Sequence, residues 1–177
     1  TMARGVEAVQ RQAVKGEQTA SDWDAAAYQE ILTSFVGSNP ETFGGGIWFE
    51  PYQYRPEQRY FSPYCMRQNG AVTYVDNYSL GEGVYYTDQD WYTNAANTTQ
   101  KSVWSAPYYD EFAQISMVTS SAPIYDETGR LLGVATADID LTQMQQMVLS
   151  LDVVANGRAF LIDDTGVYIC LLYTSPS

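Results

Sequence analysis

The chain has 177 residues, with 21 acidic and 9 basic side chains, no histidine and a net charge of −12. A nucleic-acid partner needs a basic footprint to displace counterions and is excluded, and an anionic lipid surface is disfavoured because it repels an acidic protein. The acidic field instead favours cationic or zwitterionic small molecules.

Lacking histidine, the chain lacks the commonest general base and metal ligand. Cys65 and Cys170 lie far apart in sequence and form no CxxC pattern, so they give no zinc signature; a disulfide between them stays open. No metal and no cofactor is expected. With 45% hydrophobic and 14% aromatic residues, the composition fits a folded chain that can bury about one core. Fifteen tyrosines and four tryptophans suit strand surfaces and a ring-lined pocket. No run approaches the roughly 18 apolar residues of a membrane helix, and no signal peptide is visible. The start at Thr1-Met2-Ala3-Arg4 reads as mid-helix, so the chain is taken as a piece of a longer protein anchored in a membrane elsewhere.

Residues 4–19 carry a partial helical stripe of Val6, Val9, Ala13 and Val14. Ser21-Asp22-Trp23-Asp24 reads as a capping box, with a second helix from Ala25 to Val36 stopped by Gly37-Ser38-Asn39-Pro40. From Gly44 the period changes. Gly46–Glu50 and Arg59–Met66 read as strands, and Gln68-Asn69-Gly70 turns a hairpin into Ala71–Val75. Residues 77–87 read as a loop. Asp88 or Asp90 is expected to cap a short helix from Trp91 to about Asn97. Val103-Trp104 starts a strand and Pro107–Glu111 a loop. Ile115–Tyr125 and Arg130–Ile139 make a long hairpin about Asp126-Glu127-Thr128-Gly129. Asp140 caps a helix striped by Leu141, Met144, Met147, Val148 and Leu151. Asp163-Asp164-Thr165-Gly166 then repeats the earlier turn between two further strands, as if a second unit began. Leu171–Ser177 continues neither periodicity and is expected to be foreign to the fold.

Carboxylates and rings recur together between Asp88 and Asp138, with no nucleophile–base pair beside them. That chemistry holds a small polar or cationic molecule and does not transform it. The layout, with Gly46-Ile47-Trp48-Phe49-Glu50-Pro51-Tyr52, Asp90-Trp91-Tyr92, Trp104-Ser105-Ala106-Pro107-Tyr108-Tyr109-Asp110, Pro123-Ile124-Tyr125-Asp126, Gly133-Val134 and Asp138-Ile139, closely resembles the double Cache family. These are extracytoplasmic sensors of bacterial chemoreceptors and sensor histidine kinases. The resemblance implies an α+β, PAS-like five-stranded antiparallel sheet flanked by helices. It divides the chain into an N-terminal signalling helix (1–20), a membrane-distal ligand-binding module (21–151), the start of a truncated proximal module (152–170) and a tail (171–177).

The family's amino-acid-binding pattern places Trp91, Tyr92, Tyr108, Asp110 and Asp138 in the site. Its carboxylate-clamping arginine falls on Gln89, and its leading tyrosine falls on Val84, with Tyr85 and Tyr86 beside it. Glutamine offers an ordinary hydrogen bond where arginine offers a charged fork. The acidic half of the site is therefore kept and the basic half is missing, unless Arg55, Arg59 or Arg67 reaches in. A small cationic or amino-acid-like molecule is the expected ligand, an amine or quaternary ammonium compound in preference to an α-amino acid, held by Asp110 and Asp138 among the rings of Trp91, Tyr92 and Tyr108. Trp104 is assigned to sheet packing.

Two other classes compete. One is a dimerisation module that works through its N-terminal helix without a ligand. The other is a hydrolase using Asp138 and Asp140, which share a strand face; no further catalytic motif supports it.

Overall fold

A computed structural model of the chain describes residues 24–75, 78, 83–149, 160–162, 166 and 168–171. The helix expected before residue 20 lies outside them, as does the tail beyond Leu171. Asp24 begins helix α1 (Ala25–Ser38): its backbone is extended, and its Oδ1 accepts the Ala27 amide at 3.0 Å. The cap is therefore Asp24 rather than the expected Ser21, because the later carboxylate stands within reach of the first free amides. Tyr28, Leu32, Phe35 and Val36 form the buried stripe of α1.

The chain then forms an antiparallel sheet from β1 (Gly44–Phe49), β2 (Tyr64–Gln68), β3 (Ala71–Val75), β4 (Val103–Trp104), β5 (Tyr108–Asp110), β6 (Ile115–Tyr125) and β7 (Leu131–Asp140). Its order is β3-β2-β1-β7-β6, with β4 and β5 both pairing the free edge of β6. The expected strands are present, including the short one at Val103-Trp104, but the second begins at Tyr64 rather than Arg59, and β5 is added. The expected loop over Pro107–Glu111 contains β5, in which Tyr108 faces Met117 and Asp110 faces Ile115. Proline at 107 cannot donate to a ladder, so pairing resumes only after it.

Helix α2 (Asp90–Ala96) follows a 3₁₀ turn at Tyr86–Asp88. Neither Asp88 nor Asp90 caps it; Gln89 holds the cap position without a side-chain bond, and Asp90 lies in the first turn. Helix α3 (Leu141–Leu149) leaves β7, with the Asp140 carboxylate accepting the Thr142 amide at 2.7 Å. Strands β8 (Phe160–Ile162) and β9 (Tyr168–Leu171) pair with each other in a separate sheet. The repeated turn shows itself in Gly129 and Gly166, both at positive φ (82° and 86°). Cys65 is a buried free thiol.

Strand alternation sends two sets of side chains in opposite directions. Ile47, Phe49, Ala135 and Ala137 pack under α1 with Tyr28, Leu32 and Tyr54. Trp48, Tyr64, Met117 and Val134 pack under α2 with Trp91, Tyr92 and Ala95. Arg67 ties the first layer to the sheet: from β2 its guanidinium donates to the carbonyls of Val36, Asn39 and Thr42. It thereby gives a charged donor to carbonyls at and just beyond the end of α1, two of which also accept a backbone amide. Arg67→Ala is expected to cost about 1–3 kcal/mol in urea unfolding, and a loss below a few tenths of a kcal/mol would show that water replaces these bonds.

Candidate functional site

The second face encloses a cavity of about 10 Å³, lined by Trp48, Tyr64, Tyr78, Trp91, Tyr108 and Met117, with Asp110, Thr136 and Asp138 as its polar members. That is room for about one water.

Its floor is made by strand register. On β7, Thr136 and Asp138 point into the cavity; opposite them on β1 stand Gly46 and Gly44, and on β6 Ser121 and Thr119. Because Gly44 and Gly46 carry no side chain, the Tyr64 ring lies across β1. A Cβ at Gly44 would collide with the Tyr64 hydroxyl, and one at Gly46 would come within 2.9 Å of its ring. Tyr64 therefore reaches over one strand and donates to Asp138 Oδ2 at 2.7 Å. Thr119 donates to Asp138 Oδ1 at 2.7 Å, and the Tyr108 hydroxyl lies 2.7 Å from Thr119 Oγ1. Trp48 Nε1 donates to Thr136 Oγ1 at 2.8 Å, which fixes the indole in the wall.

The second carboxylate comes from β5. Asp110 Oδ1 accepts from the Tyr78 hydroxyl at 2.5 Å and from the Ala113 amide at 2.7 Å. Tyr78 is itself tied to Ser62, whose carbonyl accepts its amide and whose hydroxyl donates to its carbonyl.

Both carboxylates are buried, at 6% and 4% exposure for Asp110 and Asp138. Among the described residues no base approaches them. Arg67 is occupied at α1, Arg55 lies over Tyr54, and Arg59 lies over Tyr60 and Tyr85. Arg130 pairs with Asp126, and Lys101 is exposed. Burial pushes the Asp138 carboxyl up to about 7; the hydroxyls of Tyr64 and Thr119 pull the other way, and the charge of Asp110 adds to the rise. Burial, then the neighbouring carboxylates, likewise hold the phenols of Tyr64 and Tyr78 far above their ordinary value, so both stay neutral donors.

Of the residues singled out from sequence, Trp91, Tyr108, Asp110 and Asp138 meet at this cavity. Tyr92 and Gln89 do not line it. Tyr92 turns to the other side of α2, where it donates to Glu50 Oε1 at 2.7 Å beside an open groove that also holds Arg130. Gln89 faces an outer groove of about 330 Å³ between the start of α2 and the Ser105–Tyr109 strap. Trp91 and Tyr108 line both this groove and the inner cavity, so they form the wall between them. Trp104 is 48% exposed at the sheet edge rather than packed. Asp140 serves α3 and stands outside the cavity, so Asp138 and Asp140 do not work there as a pair.

Sequence reasoning missed Tyr64, Tyr78, Thr119 and Thr136. The three glycines at 44–46 were the available signal for Tyr64, since a side-chain-free strand admits a ring across it. Tyr78 sits in an irregular segment whose sequence carries no such cue.

A long helix on one face of an antiparallel sheet, a short helix and strap on the other, and a closed cavity of rings and carboxylates define a PAS-like small-molecule sensor. Among the described residues no cluster could hold a metal ion, and no helix is long and apolar enough to cross a membrane. The chain belongs to the family described as methyl-accepting chemotaxis protein-like, first PDC sensor domain, whose model matches residues 28–146. This is a family of sensor modules rather than enzymes, and it bears out the double Cache resemblance.

The chain is 39% identical over 80 residues to the chemotaxis protein McpC of Bacillus subtilis, covering 45% of this chain and 12% of McpC. It is 32% identical over 107 residues to McpA of Pseudomonas putida, covering 60% of this chain and 16% of McpA. It thus spans only a small part of each receptor. Among solved structures, the extracellular domain of the histidine kinase soHK1S-Z6 is similar at 25% identity and TM-score 0.74, over 94% of this chain and 61% of that one. The ligand-binding domain of the Campylobacter jejuni chemoreceptor Tlp3, solved with L-valine, shares the fold at 15% identity and TM-score 0.71, over 96% and 62% of the two chains.

Two outcomes follow from the cavity's construction. Gly44→Ala is expected to displace Tyr64 and lower stability by about 1–3 kcal/mol; an unchanged melting curve would show that the ring has room elsewhere. A carboxyl held at about 7 in the fold, against 3.8 ordinarily, binds its proton more tightly when folded. Its stabilisation is therefore complete at acid pH and fades between about pH 4 and pH 7. Tyr64→Phe, which removes a bond favouring the charged form, is expected to extend that fade above pH 7. A fade moved to lower pH would reverse the assigned role of Tyr64.

Proposed function

We propose that this chain is the ligand-reading module of a bacterial transmembrane receptor and that its ligand lodges a positive charge between Asp110 and Asp138. The observation that carries this is a pair of buried carboxylates in one ring-lined cavity, with neutral hydroxyls and amides as their donors and no described base near. A buried anion without a counter-charge is costly, and an ammonium ringed by Trp48, Trp91 and the tyrosines supplies that charge while gaining cation–π attraction. The valine bound by Tlp3 carries both an ammonium and a carboxylate. Here the counter-charge serves the ammonium alone, because Gln89 stands at the clamp position and Arg55, Arg59 and Arg67 are engaged elsewhere.

The cavity is too small for such a ligand as it stands. Binding is therefore read as an opening of the Trp91–Tyr108 wall into the adjoining groove, since ligand pockets span roughly 300–1,000 Å³. The parent chain is assigned membrane anchors outside this piece, with the module facing the extracytoplasmic side. The segment before residue 21 passes the signal on, and two copies meet along it. Residues 152–170 begin a membrane-proximal module. The closed cavity also favours a second reading, a ligand-free interaction module; a melting temperature unmoved by a broad amine set would select it.

Calorimetry on matched pairs, an α-amino acid against its decarboxylated amine, decides the ligand class. The amine is expected to bind about tenfold or more tightly, the worth of one charged hydrogen-bond contact. Tighter binding by the amino acid, or amine binding unchanged in Asp138→Ala, overturns the proposal.

A further inference from the structure

We propose that the proton is a second, competing ligand of this site, so that the module reads acidity as well as a cation and releases a proton when the cation binds. The cation half rests on the reading above; the proton half stands on the geometry of the cavity alone. Asp110 and Asp138 line one small space of about 10 Å³. The titratable groups facing Asp138 are Tyr64 from β2, Tyr108 and Asp110 from β5, and Tyr78 from the segment after β3. Farther along the same face of β7 stands Asp140, and α2 contributes the indole of Trp91. All are neutral or acidic, so among the described residues the two carboxylates line one space with no positive charge beside them. Like charges in so confined a space disfavour ionisation, and a proton on Asp138 is the remaining neutraliser. Burial already places Asp138 in the range where that exchange occurs near neutral pH.

The hydrogen bonds also supply a route. Asp138 Oδ1, Thr119 Oγ1 and Tyr108 Oη form an unbroken chain of 2.7 Å steps. Tyr108 reaches the outer groove. With Asp138 protonated, its O–H donates to Thr119 and the Thr119 O–H to Tyr108. When a cation enters, the Asp138 O–H bond breaks, each hydroxyl passes its proton on and takes one in return, and one proton leaves to solvent from Tyr108. Thr119 then donates to the carboxylate. One positive charge enters and one departs, so the cavity's charge balance is kept. Acidification reverses the exchange and expels the cation.

The proton half is tested without any cation, by following the Asp138 side-chain carboxyl by carbon-13 NMR from pH 4 to pH 9 in the whole chain, with Asp138→Asn assigning the signal. A midpoint near 7 is expected; a carboxyl already ionised at pH 5 overturns the proposal. Should Asp138→Asn fail to fold, Tyr64→Phe assigns the same signal by shifting it upward. The coupling is tested with tetramethylammonium, which has no proton of its own. Its binding is followed at constant pH in weakly buffered salt, and the base needed to hold the pH counts the protons released. About one proton released per cation at pH 6, little at pH 8, and about tenfold tighter binding over that interval are expected for competition at one group. Binding without proton release overturns the coupling. A midpoint near 7 with no tetramethylammonium binding keeps the proton site and sinks the cation reading instead.

Discussion

One hydrogen bond organises this molecule, the Tyr64 hydroxyl on the buried Asp138 carboxylate. It exists because the strand between them is bare at Gly44 and Gly46. The bond spans β2, β1 and β7, so sheet order, register and site are a single arrangement. Slipping β1 by one residue would turn Trp48 away from the cavity and put Ile47 there instead, since the side-chain period of a strand is two. The Thr119 and Tyr108 hydroxyls extend the bond outward across β6 to β5. Asp138 thus holds together four strands, which is why an acid can be buried at the middle of the sheet.

The two faces of the sheet divide the work. The α1 face is filled by apolar contacts and ring pairs such as Tyr28 on Phe49 and Tyr54 stacked on Phe61 at 3.8 Å. Its buried side chains form one continuous apolar cluster. The α2 face is equally rich in rings, but its hydroxyls converge on carboxylates. It is closed by one short helix and a strap held to β6 at its margins, where Ser105 exchanges bonds with Thr119. A face built this way trades packing for a charge that can be neutralised from outside.

The same economy explains the tyrosines. Each phenol in the cavity finds a partner in a carboxylate or a threonine hydroxyl, and each stays neutral because burial and nearby acids oppose its ionisation. Tyr86, outside the cavity, donates to the Phe49 carbonyl at 2.6 Å and braces α2 against β1. Rings of this kind supply apolar area and a polar end together, which suits a cavity that must be dry yet polar at its centre.

The sequence by itself determined the helix–strand order, the hairpins at Asn69-Gly70 and Asp126–Gly129, the sensor family and four of the residues that meet at the cavity. Those features are local: turn glycines at positive φ, alternation along a strand, and short motifs bearing rings and acids. Even there, boundaries moved where a nearer group won, as when Asp24 displaced Ser21 as the cap and β5 formed just past Pro107. Tertiary structure decided which face each ring served. Tyr92 and Trp91 are adjacent in sequence, yet α2 turns one toward Glu50 and the other into the cavity. Tyr64 and Thr119 reached Asp138 only through strand register, and Tyr78 reached Asp110 only by folding back onto Ser62. Burial set the state of Asp138, because a carboxyl's ionisation depends on the water and charges around it, and those come from strands distant in the chain.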